Sequence, residues 1–385
     1  MIKIHTDSER LNSVINWLIR AHEVVEKKGF SIGFDLRKGW LTHYSETTGY
    51  IIPTLYRYAI QYNDSSASEI ATSAAHWLVS IQNEDGSMLD FVGHHKNSRK
   101  RQPVVFNTGQ DLFGLLSAFR FTGYDIFIES AKKAAYWIIS KQDKSGLWND
   151  TASFGARHMA SYYSHVTWPL YLIGKQLDDE RIIEHANRGL AKILEQVNSN
   201  YSVKYWGFNA NNTAPTHTIA YTIEGILEQS LLSDGIDSIN IMVAKNIALK
   251  MIELQSKNKQ LAGDYDEEWY GNYSYLCMPG NCQLAIIFMR LYSLFDENQF
   301  LLAVDQVLAP VIERQHLSRF APSAIKGTVP ASWPPVLGKY MRWLYPNWGA
   351  KYLADAIMFR MNVENESSLP DLENSYFNLL GKYPG

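Results

Sequence analysis

One glutamine, recurring at nearly fixed intervals, constrains this chain more than any other feature. It closes an amphipathic segment at Gln82, Gln142, Gln196, Gln255 and Gln315, at spacings of 60, 54, 59 and 60 residues. Sixty residues before Gln82 stands His22, which also ends an amphipathic segment. A branched aliphatic sits three residues before every marker: Ile19, Val79, Ile139, Ile193, Ile252 and Ile312. Trp17, Trp77 and Trp137 sit five before the first three. Self-similarity at such a period is the signature of a repeat architecture, and the register reads as six copies of one unit.

Each marked segment reads as a helix, because apolar residues such as Ile70, Ala74, Trp77, Leu78 and Ile81 follow the i, i+3, i+4 rule. Thr6 with Glu9, and Ser66 with Glu69, are spaced as capping boxes. After each marker comes a polar, glycine-rich loop, then a second apolar helix near 48–62, 108–121, 162–175, 217–232, 281–294 and 346–361. These second helices are apolar on more sides, as expected when both faces are covered. Six helix pairs without strand signals predict an all-α fold, an (α/α)6 toroid of helix-pair repeats of about 60 residues, with an inner and an outer layer. A linear solenoid is the alternative; closure is favoured because the chain carries six units and six pairs close a ring. The toroid domain is expected over 1–364, with 365–385 as a C-terminal extension packed on it or trailing from it. Pro310 is expected to kink the fifth marked helix.

Composition narrows the partners. Lys+Arg 36 against Asp+Glu 39 gives a net charge of −3, without the basic excess that advertises nucleic acid. Two cysteines, Cys277 and Cys282, cannot build a disulfide framework, which points to a reducing compartment. The polar start lacks the short apolar core of a signal peptide, and no run of about 18 apolar residues predicts a membrane span. A cytoplasmic protein is therefore expected. Aromatics are the outlier: 11 Trp, 23 Tyr and 16 Phe make 13% of the chain, more than core packing needs and suited to an aromatic-lined cleft.

The second repeat reads Lys133-Ala134, Tyr136-Trp137-Ile138-Ile139, Gln142 and Gly146-Leu147-Trp148. It resembles the QW motif of the terpenoid cyclases and protein prenyltransferases, which implies the α/α toroid and a glutamine that caps a neighbouring helix. A wider resemblance rests on Glu46-Thr47-Thr48-Gly49-Tyr50, Asn107-Thr108-Gly109-Gln110, Thr216-His217-Thr218-Ile219-Ala220-Tyr221-Thr222, Gly280-Asn281-Cys282-Gln283-Leu284-Ala285 and Tyr345-Pro346-Asn347-Trp348-Gly349-Ala350-Lys351. In these segments the chain is similar to uncharacterised toroid proteins encoded among bacterial capsule and O-antigen genes. That resemblance implies a role on glycans, in association with polysaccharide-assembly enzymes, and brings no catalytic residues.

All five segments open an inner helix, so a toroid would gather them at one mouth, where helix N-termini suit an anionic ligand. Glu46, His158, Tyr163, His217, Tyr221 and Asp264 are the candidate catalytic residues. Candidate substrate-binding residues are Trp40, Asn107, Gln110, Arg157, Trp206, Asp266, Trp269, Asn281, Lys326, Arg342, Tyr345, Asn347 and Lys351. Thr48, Thr108 and Thr218 read as N-caps. Aromatic faces stack on sugar rings and amides bond hydroxyls, so the mixture suits a saccharide.

Other chemistries fit less well. The run Asp264-Tyr265-Asp266-Glu267 departs from the cyclase D-x-D-D acid motif at its fourth position, and D-D-x-x-D is absent. Cys277-x4-Cys282 is a poor zinc pattern, so no metal and no cofactor are expected. P-loop, G-x-S-x-G and dinucleotide signatures are absent. Two mechanisms remain foremost. Abstraction of the C5 proton of a uronic acid, as in a lyase or epimerase, needs a His or Tyr base and groups that neutralise the carboxylate. Glycoside hydrolysis needs paired carboxylates, with Glu46 and Asp264 facing each other across the ring. A non-catalytic glycan-binding protein and a terpenoid-cyclase-like enzyme are the further alternatives.

Overall fold

The computed structural model describes residues 5–89, 102–148, 159–208 and 213–364. Each marked segment is a helix: α1 (Asp7–Glu23), α3 (Ser65–Ile81), α5 (Asp125–Lys141), α7 (Glu180–Leu194), α9 (Ile239–Asn258) and α11 (Asn298–Ile312). They bury one stripe only; in α7 these are Ile182, Ile183, Ala186, Gly189, Leu190 and Ile193. Between them run α2 (Ser45–Tyr62), α4 (Val105–Thr122), α6 (Ser164–Leu177), α8 (Thr216–Asp234), α10 (Met278–Phe295) and α12 (Asn347–Glu364). These are covered all round, and residues 216–230 of α8 are buried without exception. The inner helices pack in the order α2, α4, α6, α8, α10, α12 and back onto α2, which closes the (α/α)6 toroid and excludes the open solenoid. Each inner helix packs on the outer helix that follows it, and the last inner helix, α12, packs on α1. The first and last helices of the described residues thus form one pair. The spatial pairs are one helix out of step with the repeat as the sequence writes it.

The repeat glutamines explain the closure. Gln82 Nε2 donates to the Gly86 carbonyl of its own loop and to the Ser130 carbonyl of the next outer helix, both at 3.0 Å. Ser130 Oγ donates back to Gln82 Oε1 at 2.6 Å. Gln142 does the same with Gly146 and His185, at 3.0 and 3.1 Å, and the His185 ring answers at 2.6 Å. Gln315 reaches Gly327 at 2.9 Å and Arg10 at 3.0 Å, so one clamp ties the end of α11 to the start of the chain. Gly86, Gly146 and Gly327 all have positive φ, a backbone state that lets the loop carbonyl turn towards the amide. Gln196 instead bonds its own helix, through the Lys192 carbonyl. Gln315→Ala should lower the unfolding free energy by about 2–3 kcal/mol, because two carbonyls lose their donor. Urea unfolding followed by circular dichroism checks this, and a loss no larger than that of a surface substitution would rule the clamp out as a closure device.

The inner layer is tight. A Cβ on Gly49 of α2 would lie 2.2 Å from the Gln110 carbonyl oxygen of α4, and one on Gly114 would lie 2.4 Å from the Gly49 oxygen. Only glycine permits that backbone approach, which sets α2 against α4 at the mouth.

Three expectations change. Thr6 and Glu9 form their capping box, but α3 is capped by Asp64, which accepts from the amides of Ser66 and Ala67. Thr48 and Thr108 are not N-caps. Each lies inside the first turn, donates to the carbonyl four residues back (Tyr44, Val104), and accepts the amide of a loop residue (Phe30, Met88) at 3.0 Å. The loops also contain short strands: β1 (Gly33–Asp35), β2 (Gly39–Trp40), β3 (Ala214–Pro215), β4 (Asp264–Tyr265), β5 (Leu276–Cys277), β6 (Ser332–Trp333) and β7 (Leu344–Pro346). They pair antiparallel as β2-β1-β7, β3-β4 and β5-β6, joining loops of different repeats. Strands of two or three residues are too short to show a period, so the sequence carried no sign of them. Arg157, His158 and the 365–385 extension lie outside the described residues. Among the described residues, no helix is long and apolar enough to cross a membrane.

Candidate functional site

Glu46 lies in the first turn of α2, beside the start of α4. The Tyr44 hydroxyl donates to Glu46 Oε2, and Asn107 Nδ2 of α4 donates to that hydroxyl at 3.3 Å. Burial pushes the Glu46 carboxyl up to about 7, against the Tyr44 bond, which favours the charged form. Burial raises the phenols of Tyr50, Tyr162, Tyr221 and Tyr340, and a charge on Glu46 adds to each shift, which places tyrosines from several elements around one carboxyl. Removing the Tyr44 hydroxyl removes a stabiliser of the carboxylate. Tyr44→Phe should therefore raise the pKa of Glu46 by about one to two pH units. The pH midpoint of any Glu46-dependent rate checks it; a midpoint that stays in place or falls contradicts the assignment.

Aromatic rings line the same region. The Tyr221 ring lies 4.4 Å from His217 and 4.6 Å from His165, centroid to centroid, so it sits between two imidazoles. Tyr340 and Tyr352 approach His217 at 5.5 and 6.1 Å, and Phe106 meets Tyr162, Tyr163 and Tyr221 at 5.1–5.8 Å. His217 is buried, its Nδ1 is 2.5 Å from Gln283 Oε1, and its pKa falls to about 3, chiefly through burial. It is a neutral imidazole at pH 7, held by a glutamine that the sequence reading did not single out. Gln110 is fully buried and binds His165 twice, donating to its carbonyl at 2.8 Å and pairing with its Nδ1 at 3.0 Å. Gln110 therefore positions a ring. Lys351 is buried at 3.0 Å from Asp355 and 3.7 Å from the centre of the Tyr352 ring. Burial lowers its pKa, while Asp355 and Glu224 hold it up. Asn347 joins the start of α12 to Ser31 and Thr47 at 2.8 and 2.7 Å.

Several buried polar atoms of the inner helices have no hydrogen-bond partner among the described residues. Asn107 Oδ1 and Asn347 Oδ1 are among them, whereas Glu224 Oε2 lies 3.3 Å from His165 Nε2, Asp111 interacts with Ser45, and Tyr221 interacts with Tyr50 and Tyr352. Such atoms cost about 1–3 kcal/mol each when left unpaired. Asp111 lies one turn beyond Asn107 on α4 and is fully buried; burial and Glu46 push its carboxyl well above the usual range. The i, i+4 spacing from Asn107 was the available signal for it. Tyr44 and Tyr340 carried none, because their roles depend on how loops fold over the ring.

Other candidates are engaged elsewhere. Asp264 Oδ2 accepts from Tyr275 at 2.8 Å and from Asn272 at 3.1 Å. Asp266 accepts the amides of Glu268 and Tyr270 and shapes a loop. Trp206 and Trp269 pack on each other at 5.1 Å, with Trp269 Nε1 on the Asn200 carbonyl at 3.0 Å. Trp40 packs on Trp17 and Phe34. Tyr163 is fully buried against Phe106, Trp148 and Tyr162. Asn281 donates to the Cys277 carbonyl at 2.9 Å, Tyr345 meets His316 at 3.0 Å, Arg342 is exposed, and Lys326 lies on the loop that packs over α1. Cys277 and Cys282 are buried, and burial pushes the Cys277 thiol up to about 12. Among the described residues, no group of three His, Cys, Asp or Glu could hold a metal ion.

No family model matches the chain, and no curated protein matches it. Solved structures do. A heparin-specific unsaturated glucuronyl hydrolase superposes with a TM-score of 0.72 at 13% identity, over 93% of this chain and 98% of that one. The unsaturated glucuronyl hydrolase of Bacillus sp. GL1 gives 0.67 at 15% identity, over 92% and 96%. Cellobiose 2-epimerase of Bacillus thermoamylovorans B4167 gives 0.68 at 13%, over 91% and 97%. At these identities the likeness is one of fold, and the chain has the α/α toroid of those enzymes.

Proposed function

We propose that this chain is a carbohydrate-active enzyme that transfers a proton to or from a sugar carbon, with Glu46 as the acid–base group. The observation that carries the reading is the Glu46 carboxyl itself, poised at about 7 beneath the Tyr44 hydroxyl at the mouth of the ring. A general acid or base works best with a pKa near the working pH. The tyrosine walls offer faces for sugar rings, and the unpartnered polar atoms offer bonds for hydroxyls. A hydrocarbon cation would leave those polar atoms unpaired, which weighs against terpenoid cyclisation. Hydrolysis by two opposed carboxylates is less well supported, because the Asp264 carboxylate already receives two donors.

The substrate we favour is a uronate-bearing oligosaccharide of bacterial glycan metabolism, handled inside the cell beside polysaccharide-assembly enzymes. As a base, Glu46 takes the proton at C5 and the electron pair moves towards the carboxylate. Return of a proton gives an epimer; loss of the C4 substituent gives an unsaturated product. The unsaturated glucuronyl hydrolases among the structural neighbours favour a related reading. An unsaturated uronyl group is an enol ether, and its hydration begins when one acid delivers a proton to carbon.

Proton NMR in D2O tests the proposal, with saturated and unsaturated uronate oligosaccharides and with cellobiose. Solvent deuterium should enter a sugar C–H bond in at least one of them. New reducing ends without deuterium on carbon would move the assignment to paired-carboxylate hydrolysis. Unchanged spectra across the set would remove the proton-transfer reading for these substrates.

A further inference from the structure

Residues 314–354 contain Arg314, Arg319, Lys326, Lys339, Arg342 and Lys351 but no Asp or Glu, in a chain of net charge −3. Lys339 and Arg342 stand on the turns that lead into β7. β7 pairs antiparallel with β1, Leu344 opposite Asp35, so the residues after β1 lie beside those before β7. The Leu36 amide donates to the Trp343 carbonyl at 2.9 Å, and the Arg37 guanidinium lies 5.3 Å from the centre of the Trp343 ring. The Trp343 amide donates to the Pro335 carbonyl at 2.9 Å, and the Gly338 amide to the Pro334 carbonyl at 2.8 Å. Residues 36–38 and 336–343 are thus held side by side at one end of the β2-β1-β7 sheet.

Their exposed side chains are of two kinds. Leu337 is 71% exposed, and Leu36 and Met341 are 41% and 40% exposed. Arg37, Lys38, Lys339 and Arg342 are exposed with them. Asp35 is the one carboxylate in 31–43 and 314–346, and it already pairs with Arg37 at 3.4 Å. Met341 and Trp343 have φ of 44° and 74°, a left-handed state that is costly for bulky side chains. Such strain persists where surrounding structure over-determines it, and it gathers at functional sites. Here it keeps an aliphatic side chain at the surface, between two cations.

We propose that these two turns dock the chain on an anionic bilayer surface. The cations meet headgroup phosphates while the aliphatic tips enter the interface, and interfacial binding draws on both charge and buried apolar area. The aliphatic tips are what select a bilayer. A polyanionic glycan or nucleic acid would meet the same cations but would give Leu36, Leu337 and Met341 no apolar medium to enter. Tyr340, between Lys339 and Met341, is buried with its ring 5.5 Å from His217, so the docked chain holds its mouth beside the bilayer. The surface rests on its own residues and is independent of the proposed reaction.

Flotation of the full chain tests it, with vesicles of phosphatidylcholine alone and of phosphatidylcholine with about 30% phosphatidylglycerol. The chain should float with the anionic vesicles and not with the neutral ones, and the bound fraction should fall as salt screens the charges. Lys339→Gln combined with Arg342→Gln should weaken the partition about 30-fold. Leu337→Ser should weaken it about tenfold. Both variants should keep the wild-type melting temperature, because the replaced side chains are exposed. Lys133→Gln combined with Lys141→Gln, on α5, should leave the partition unchanged. No flotation, equal flotation with neutral vesicles, or an equal loss in the α5 variant would each overturn the surface. Full binding by Leu337→Ser would overturn it too, since the cations would then be holding a polyanion without any apolar contact.

Discussion

Asp355→Ala should destabilise the protein by about 3–5 kcal/mol, the largest stability effect expected of a substitution at an ion pair here. Asp355 is fully buried on α12, one turn beyond Lys351. Its carboxylate receives Arg57 Nη1 at 2.7 Å, Lys351 Nζ at 3.0 Å and the Thr54 hydroxyl at 3.0 Å. Arg57 and Thr54 belong to α2, so one carboxylate fastens the last inner helix to the first. Truncating it takes from two buried cations the carboxylate they share, and the cost is that of burying those charges with less compensation rather than of the bond removed. Breaking the Lys250–Glu253 pair, with 27% and 61% of the side chains exposed, should change stability by no more than ~0.5 kcal/mol. Urea unfolding of both variants makes the comparison. A loss below about 1 kcal/mol for Asp355→Ala would mean that the cluster is not what holds α12 to α2.

The ring was legible because it depends on periodic things. The spacing of the glutamines gave the number of units, and the wider apolar face of the second helices gave their inner position. Repeat logic also explains the error in pairing. A period does not say where a unit begins, and the spatial pair is α2 with α3 rather than α1 with α2. The fastening of α1 to the end of α11 and to α12 joins residues 305 and 353 positions apart, through Gln315 on Arg10 and Arg360 on Asp7 at 2.6 Å, and no local pattern encodes such a contact.

The site was legible only where it lies on helices. Glu46, Asn107, His217, Tyr221 and Lys351 open inner helices, and the ring gathers them as the topology requires. Side-chain roles were another matter. Gln110 and Gln283 look alike in sequence as polar residues on inner helices; one clamps His165 and the other His217. Loop residues were the least readable. The same aromatic and carboxylate types that suit a sugar also suit a packed loop, and Trp206, Trp269 and Asp264 have taken the second use. Tyr44 shows the converse, since its value comes from standing two residues before Glu46 and turning back onto it.

Glu46→Gln should lower the rate on a turned-over substrate by about 100-fold or more, the usual contribution of a general acid or base. The amide keeps an oxygen for the Tyr44 hydroxyl but can neither hold nor release a proton. Its effect on stability has the opposite sign and a definite pH dependence. In the folded protein the carboxyl is raised from 4.5 to about 7. Its contribution to stability is therefore fully present below about 4.5 and lost as pH rises through about 7, because ionising a buried carboxylate disfavours the folded state. The substituted amide never ionises, so the Glu46→Gln variant should be no more stable than wild type at about pH 4.5 and clearly more stable at about pH 8. Melting curves of the two proteins at both pH values test this without any knowledge of the substrate. A pH-independent difference would show that the carboxyl is not raised, and Glu46 would then lose the property that makes it the proton-transfer group. A melting difference that follows this pattern, together with a rate unchanged by the substitution, would keep the electrostatics and transfer the chemistry to another residue at the mouth.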